Sequence, residues 1–300
     1  MMIRPASFGS NPETQPSNTF QQEPEIAAEQ IRVMALQEFD RMVSLLETNG
    51  IDPVIIQDTS SPEKPDAVFP NNWISMQPDG KLVTYPMLAP NRRLERRADI
   101  LKTLQDGYEV SELIDFSGFE NKGEIVEGTG SLIFDYPNSL AYAARSSRTQ
   151  EGLVEEICER LGFTPVLFNA TNAAGIPIYH TNVMMSVATE FAVVSLDTIK
   201  DDTDRDTVIE SLNSTGHKII SISFDQVKSF AGNVLEVQKK NGERVLIISE
   251  TAIQSLLPGQ LDAITRYVDV LPIPIPTIEK YGGGGVRCML AGIHLPIKRN

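Results

Sequence analysis

Apolar residues in this chain recur with two different periods. Residues 25–49 set Ile26, Ile31, Met34, Leu36, Phe39, Met42, Val43 and Leu46 near helical spacing, and 151–161 set Leu153, Val154, Ile157, Cys158 and Leu161 on one face. Both segments predict amphipathic helices. Elsewhere short apolar runs flank turn residues. Trp73–Met76 and Leu82–Tyr85 lie either side of Pro78-Asp79-Gly80, and Val234–Val237 and Val245–Ile248 either side of Asn241-Gly242. This arrangement predicts β-hairpins. After each helical segment comes a short strand candidate, Pro53–Ile56 and Pro165–Phe168.

The pattern repeats. Five stretches of small or amide residues open an apolar strand: Phe69-Pro-Asn-Asn-Trp73, Glu127-Gly-Thr-Gly-Ser131, His180-Thr-Asn-Val183, Phe230-Ala-Gly-Asn-Val234 and Gly283-Gly-Gly-Val286. Aligning Asn72, Gly130, Asn182, Asn233 and Gly285 gives spacings of 58, 52, 51 and 52 residues. A ββαβ-like unit with that period predicts an α/β fold closed into a radial array of five units, with every kink facing one central channel. No Pro/Ser-rich linker interrupts it, so a single domain over 1–300 is expected. The polar run Ser7–Glu25 reads as a loop, and Asp201–Asp206 as an acidic surface loop or helix start.

Composition narrows the function classes. The net charge of −14 disfavours nucleic acid or an anionic membrane as partner, because phosphates would be repelled. Cys158 and Cys288 are the only cysteines, too few for a disulfide framework or a thiolate zinc cluster. No basic-then-apolar leader is seen, and no apolar stretch reaches the roughly 18 residues of a membrane span. A cytoplasmic protein acting on a small molecule is expected, with homo-oligomerisation left open.

The segment Tyr281-Gly-Gly-Gly-Gly-Val-Arg-Cys288-Met289 carries the candidate chemistry. Consecutive glycines allow positive φ and close approach, and a cysteine just beyond could serve as a nucleophile. Alone, the segment reads equally as a flexible loop before a buried cysteine. Closure of the array would gather Asp66, Asn71, Asn72, Glu127, His180, Asn182 and Cys288 from distant parts of the chain. A nucleophilic thiol needs a base, and an electrophilic carbon needs orienting groups. His217, His294 and Cys158 sit among apolar positions without polar company and read as core.

With those residues in view, the sequence resembles the guanidine-modifying superfamily of pentein enzymes from about Ile3 to Pro296. Asp66-Ala-Val-Phe-Pro-Asn-Asn-Trp73, Glu127-Gly-Thr-Gly, His180-Thr-Asn and Gly-Gly-Gly-Val-Arg-Cys288 look most like the citrulline-utilisation hydrolases of CtlX type. The resemblance implies a five-bladed αβ-propeller (the pentein fold). It implies Cys288 as nucleophile at a guanidino or ureido carbon, His180 as general acid/base, and Glu127 as the carboxylate that hydrogen-bonds the substrate nitrogens and helps position the histidine side. It also implies Arg148 as partner of the substrate α-carboxylate, with no metal or organic cofactor. Arg92 or Arg93 could provide a second carboxylate contact, and both read equally as a solvated helix start.

The departures from the arginine deiminase pattern bear on substrate. Those enzymes carry aspartates at the positions matching Asn72 and Asn182, where the carboxylates neutralise a guanidinium. Two amides serve a neutral ureido group better, since they both donate and accept. Citrulline hydrolysis to ornithine, ammonia and carbon dioxide is therefore the expected reaction. A deiminase or amidinotransferase is the enzymatic alternative, and a non-catalytic pentein binding module the other. Neither papain-like nor caspase-like cysteine signatures are present.

Overall fold

The computed structural model describes residues 1–298. Four sheets of three strands and one of two make up its β-structure. In the three-stranded sheets a short antiparallel hairpin is joined by a third, parallel strand. Ile74–Met76 and Lys81–Thr84 pair this way with Glu112–Asp115, and Ile133–Asp135 and Leu140–Ala144 with Thr164–Phe168. Met185–Val187 and Phe191–Val194 take Lys218–Ser221, and Leu235–Gln238 and Arg244–Ser249 take Asp269–Ile273. A parallel partner requires a crossover, and helical segments supply it: Ala98–Gly107, Glu151–Leu161, Asp202–Ser214 and Pro258–Thr265.

The expected helices form close to their predicted limits, over Ala28–Thr48 and Glu151–Leu161. The first buries Ile31, Ala35, Phe39, Met42 and Leu46, whereas Ile26 and Met34 are exposed. A helix can bury only one stripe, and the one at i, i+4, i+8 and i+11 wins. The second buries all five predicted residues, Cys158 included, in a core shared with Val83, Tyr85, Ala141 and Ala143. Asp201 caps the helix Asp202–Ser214 by accepting from the Asp204 amide at 3.0 Å, so the acidic run is a helix start.

Each of the five kinks is a single tight turn, and neighbouring turns are tied together. Thr129 Oγ1 donates to Asn71 O at 3.2 Å and Thr181 Oγ1 to Ser131 O at 2.6 Å. Asn233 Nδ2 donates to Asn182 O at 2.9 Å, and Asn233 Oδ1 accepts from Arg287 N at 3.1 Å. The fifth turn then packs against the first: a Cβ on Gly284 would lie 3.0 Å from the Phe69 ring.

The fifth kink departs from the expected hairpin. The chain after Cys288 does not fold back on itself but meets the N-terminal strand. Met1 and Ala291 exchange backbone hydrogen bonds at 2.7 and 3.0 Å, and Met2–Arg4 pairs in parallel with Ile55–Gln57. The segment after Cys288 is thus joined to the strand Met2–Arg4 and not to a hairpin of its own.

Glu279, in the helix Pro276–Gly282 that leads into the glycine run, is buried with Oε1 unpartnered. Burial pushes its carboxyl up to about 7, with Glu38 adding to the effect and Ser249 and Thr251 opposing it. A carboxyl raised on folding costs nothing below its ordinary range and most above its folded pKa. Glu279→Gln is therefore expected to stabilise the fold by about 1–3 kcal/mol near pH 8. The gain should vanish near pH 4, as read from unfolding midpoints at both pH values.

Candidate active site

The glycine run places Cys288. Gly283 has φ of 66°, a conformation that favours glycine, and it ends the helix Pro276–Gly282. At Gly284 an added Cβ would come within 3.3 Å of Cys288 Cβ, so the backbone passes directly beside the thiol. Two amides donate to the sulfur, Asn233 Nδ2 at 3.3 Å and Asn182 Nδ2 at 3.4 Å. Burial pushes the thiol above its ordinary range, against the pull of Asn233, Arg287 and Asn182. The resting group is a thiol held among donors that favour the thiolate once it forms.

His180 enters from the third turn and meets Glu127 from the second, Nε2 to Oε2 at 2.8 Å. Arg148 Nη1 lies 3.3 Å from the same carboxylate oxygen, and Leu88 N donates to the other at 2.9 Å. Burial opposes the charge on Glu127, but Arg148, His180 and Arg92 outweigh it and hold the carboxyl well below its usual range. Burial lowers His180 to about 4 despite Glu127, so its imidazole is neutral at pH 7. A neutral imidazole on a carboxylate is poised to take up a proton and to release it.

A second charged group sits opposite. Arg92 binds Glu95 through Nε at 2.9 Å and Nη2 at 3.0 Å, and donates to Asn72 Oδ1 at 2.8 Å. Asp66 Oδ2 lies 3.8 Å from Arg92 Nε. Asp66 Oδ1 and Asn72 Nδ2 are buried without a partner, as is Asn182 Oδ1. Asp66, Asn72, Arg92, Arg148, His180 and Cys288 line one narrow cavity, with Tyr179. The unpartnered atoms of Asp66 and Asn72, two residues that border this space, are what a polar ligand would satisfy.

Six of the nine residues singled out in the sequence thus border the same cavity. Glu127 and Asn182 stand behind it, on His180 and Cys288. Asn71 is buried but does not border the cavity; its carbonyl links the first two turns. Arg93 is directed elsewhere, 3.5 Å from Glu120 and donating to Met87 O. Arg92, read equally as a solvated helix start, is instead buried and fully engaged. His217 does have polar company: its near neighbour Thr215 lies 2.7 Å away and Ala188 O, from a distant segment, 3.0 Å.

The sequence reading missed the cover. Ser7–Glu25 folds across the cavity and supplies Asn11 and Thr14 to Asp66 at 2.8 and 3.2 Å. Arg148 Nη2 donates to Thr14 O at 3.1 Å and to Ser17 Oγ at 2.6 Å, while Asn18 Nδ2 reaches Gly282 O at 3.2 Å. Only its polarity without a strand or helix period marked this stretch. Asn233 was missed as a sulfur partner, although its place in the repeat matched Asn182.

Gly130 shows how tightly the turns fit. A Cβ there would sit 2.4 Å from Asn72 Nδ2 and 2.9 Å from His180 Nδ1. Gly130→Ala is expected to displace both side chains and cut turnover by about 10²-fold or more, with far-ultraviolet circular dichroism unchanged.

The sequence matches the family described as N,N dimethylarginine dimethylhydrolase, eukaryotic, over residues 4–295. The chain belongs to this family. No curated protein matches it. Among solved structures, the substrate-bound N-terminal domain of ArgZ, an arginine dihydrolase from the ornithine-ammonia cycle in cyanobacteria, superposes with a TM-score of 0.73 at 12% identity, covering 96% of this chain and 95% of that one. A mutant of AgrE in binary complex with L-arginine gives 0.76 at 14% identity over all of this chain, which spans 40% of AgrE. A dimethylarginine dimethylaminohydrolase bearing a 4-chloro-2-hydroxymethylpyridine adduct gives 0.63 at 13% identity, covering 96% of each chain. The α/β fold is therefore that of the dimethylarginine and arginine hydrolases. Among the described residues no cluster of three His, Cys, Asp or Glu could hold a metal ion, and no helix is long and apolar enough to cross a membrane.

Proposed function

We propose that this chain is a cytoplasmic cysteine hydrolase of a ureido amino acid, citrulline, built as a single-domain five-bladed αβ-propeller. The tied turns and the junction of Ala291 with Met1 support a closed ring. The quoted motifs support a nearer kinship with the citrulline-utilisation hydrolases than family membership alone conveys. In this reading the Cys288 thiol gives its proton to His180 as it attacks the ureido carbon, and His180 passes that proton to the leaving amine, then takes a proton from water. Cleavage of the first C–N bond leaves an S-acylated cysteine. Water at that carbon returns the thiol and a carbamic acid, which splits into amine and carbon dioxide. One water is consumed, and ornithine, ammonia and carbon dioxide are released.

The observation that carries the substrate reading is the pair of amide donors on Cys288 Sγ. A carboxylate in place of Asn182 would oppose the thiolate and leave its formation to a cationic substrate. Amide donors support the thiolate with no help from substrate charge, which suits a neutral ureido group. The site's carboxylates are also largely spoken for, Glu127 by Arg148 at 3.3 Å and Asp66 by Arg92 at 3.8 Å. Little negative charge is left over for a guanidinium. Arg148, beneath Tyr179 with its guanidinium 4.9 Å from the ring, would take the α-carboxylate by exchanging its contacts to Thr14 and Ser17.

Arginine is the second reading, favoured by the unpartnered Asp66 Oδ1. Incubation with citrulline, arginine and N,N-dimethylarginine, with products identified by mass, tests the proposal. Ornithine formed from citrulline at the highest kcat/KM is expected. Equal or better turnover of either guanidino substrate would overturn the choice of substrate.

A further inference from the structure

The turn that carries Cys288 also carries Arg287, and Arg287 lines a different cavity. That space, about 1340 Å³ counting its solvent-filled mouth, is bordered by Arg287, Asp135, Tyr136, Glu236 and His294, and by neither Cys288 nor His180. A guanidinium offers five N–H donors. Here Nη1 donates to Leu290 O at 3.0 Å, and among the described residues the side chain has no other hydrogen bond and no carboxylate partner. Arg92 and Arg148 differ, each being held by a carboxylate and by further acceptors. Desolvation pulls the Arg287 guanidinium below its ordinary range, as expected of a cation left short of acceptors.

The cavity also carries negative charge, already tied within the protein. Asp135 accepts from Asn138 Nδ2 at 2.9 Å through both oxygens and lies 3.9 Å from His217. Glu236 accepts from Thr189 and lies 3.5 Å from Arg244. A plain anion would be drawn to Arg287 but opposed by these carboxylates, and a plain amine would meet the reverse. The lining is otherwise mixed, with Val187, Val234 and Leu235 supplying an apolar part beside Ser186, Thr189 and Thr215.

We propose that this second cavity binds a zwitterionic α-amino acid with an apolar side chain. Its carboxylate pairs with Arg287, its ammonium group faces Asp135 or Glu236, and its side chain lies along Val187, Val234 and Leu235. Such a ligand meets both signs of charge at once and fills the unused donors. The site is separate from the one assigned to the ureido substrate, and its occupancy is read without any turnover.

Calorimetric titration of the full chain with L-leucine, isobutylamine and acetate is the test. Leucine is expected to bind with one site per chain, and the amine and acetate at least about tenfold more weakly, since each forfeits one charged contact. Arg287→Gln should weaken leucine binding by about tenfold or more, Arg287→Lys should restore part of it, and Arg148→Gln should leave it unchanged. Glu236→Gln and Asp135→Asn provide independent variants, of which at least one should weaken binding. Absence of heat at millimolar leucine overturns the proposal. So does binding lost with Arg148→Gln but kept with Arg287→Gln, which would place leucine in the Cys288 cavity.

Discussion

Cys288→Ser is expected to lower turnover by at least about 10⁴-fold, the scale on which removal of a nucleophile acts in other enzymes. The reason lies in the sulfur's surroundings. The thiol is buried and raised, so its thiolate fraction is small at neutral pH, but two asparagine amides wait at 3.3 and 3.4 Å to receive the charge. A serine hydroxyl in that position keeps the hydrogen bonds and loses the ionisation. The fold should therefore survive, with an unfolding midpoint close to that of the parent. Cys158→Ser should do the opposite. Burial among Leu153, Val154 and Ile157 pushes the Cys158 thiol up to about 12, far from reactive, and a hydroxyl there costs about 1–3 kcal/mol of stability. Turnover per folded molecule should persist. Intact-mass and peptide mapping after incubation with substrate decide between the thiols: an adduct on Cys158 would undo the assignment of the nucleophile.

Asn182→Asp combined with Asn72→Asp is expected to shift preference from citrulline toward arginine by about 1–3 kcal/mol, or roughly 5–150-fold in the ratio of kcat/KM values. The two changes act differently. Asn182→Asp sets a carboxylate against Cys288 Sγ in place of a donor, and so raises the thiol further unless a cationic substrate arrives. Alkylation of Cys288 by iodoacetamide, followed against pH without substrate, should move to higher pH in this variant. Asn72→Asp adds charge beside Arg92, which already donates to Asn72 Oδ1 at 2.8 Å, so part of the new charge is neutralised locally. The Asn182 change should thus contribute the larger share. A double variant that loses both activities equally, with alkylation unmoved, would show that charge at these positions does not select the substrate.

Local order was legible wherever a period repeated. The stripe from Ile31 to Leu46, the five buried residues of Glu151–Leu161 and the hairpin flanking Asn241-Gly242 follow from side-chain direction on a helix or strand, which depends only on near neighbours. The spacing of the kinks carried further, because a repeated unit has to bury the same face each time. It is enough to bring Cys288, His180, Asn72 and Asp66 to a common place. What the chain alone did not disclose were contacts between segments with no period. Ser7–Glu25 has no apolar period, and its course is set by isolated anchors, Phe8 and Phe20 in the core and hydrogen bonds to Asp66, Arg148 and Gly282, more than forty residues away at the nearest. Arg92 and Arg93 are adjacent and identical in type, yet Arg92 is buried on Glu95 and Arg93 faces Glu120. Nothing local separates them; the packing of the turn beneath does. The segment after the fifth kink likewise looked like a hairpin because the kink repeats, and only the fold joins Ala291 to Met1 instead. Sequence fixes which side chains can share a face, whereas the pairing of distant polar groups is chosen by the whole fold, since each buried donor must find an acceptor wherever the chain happens to bring one.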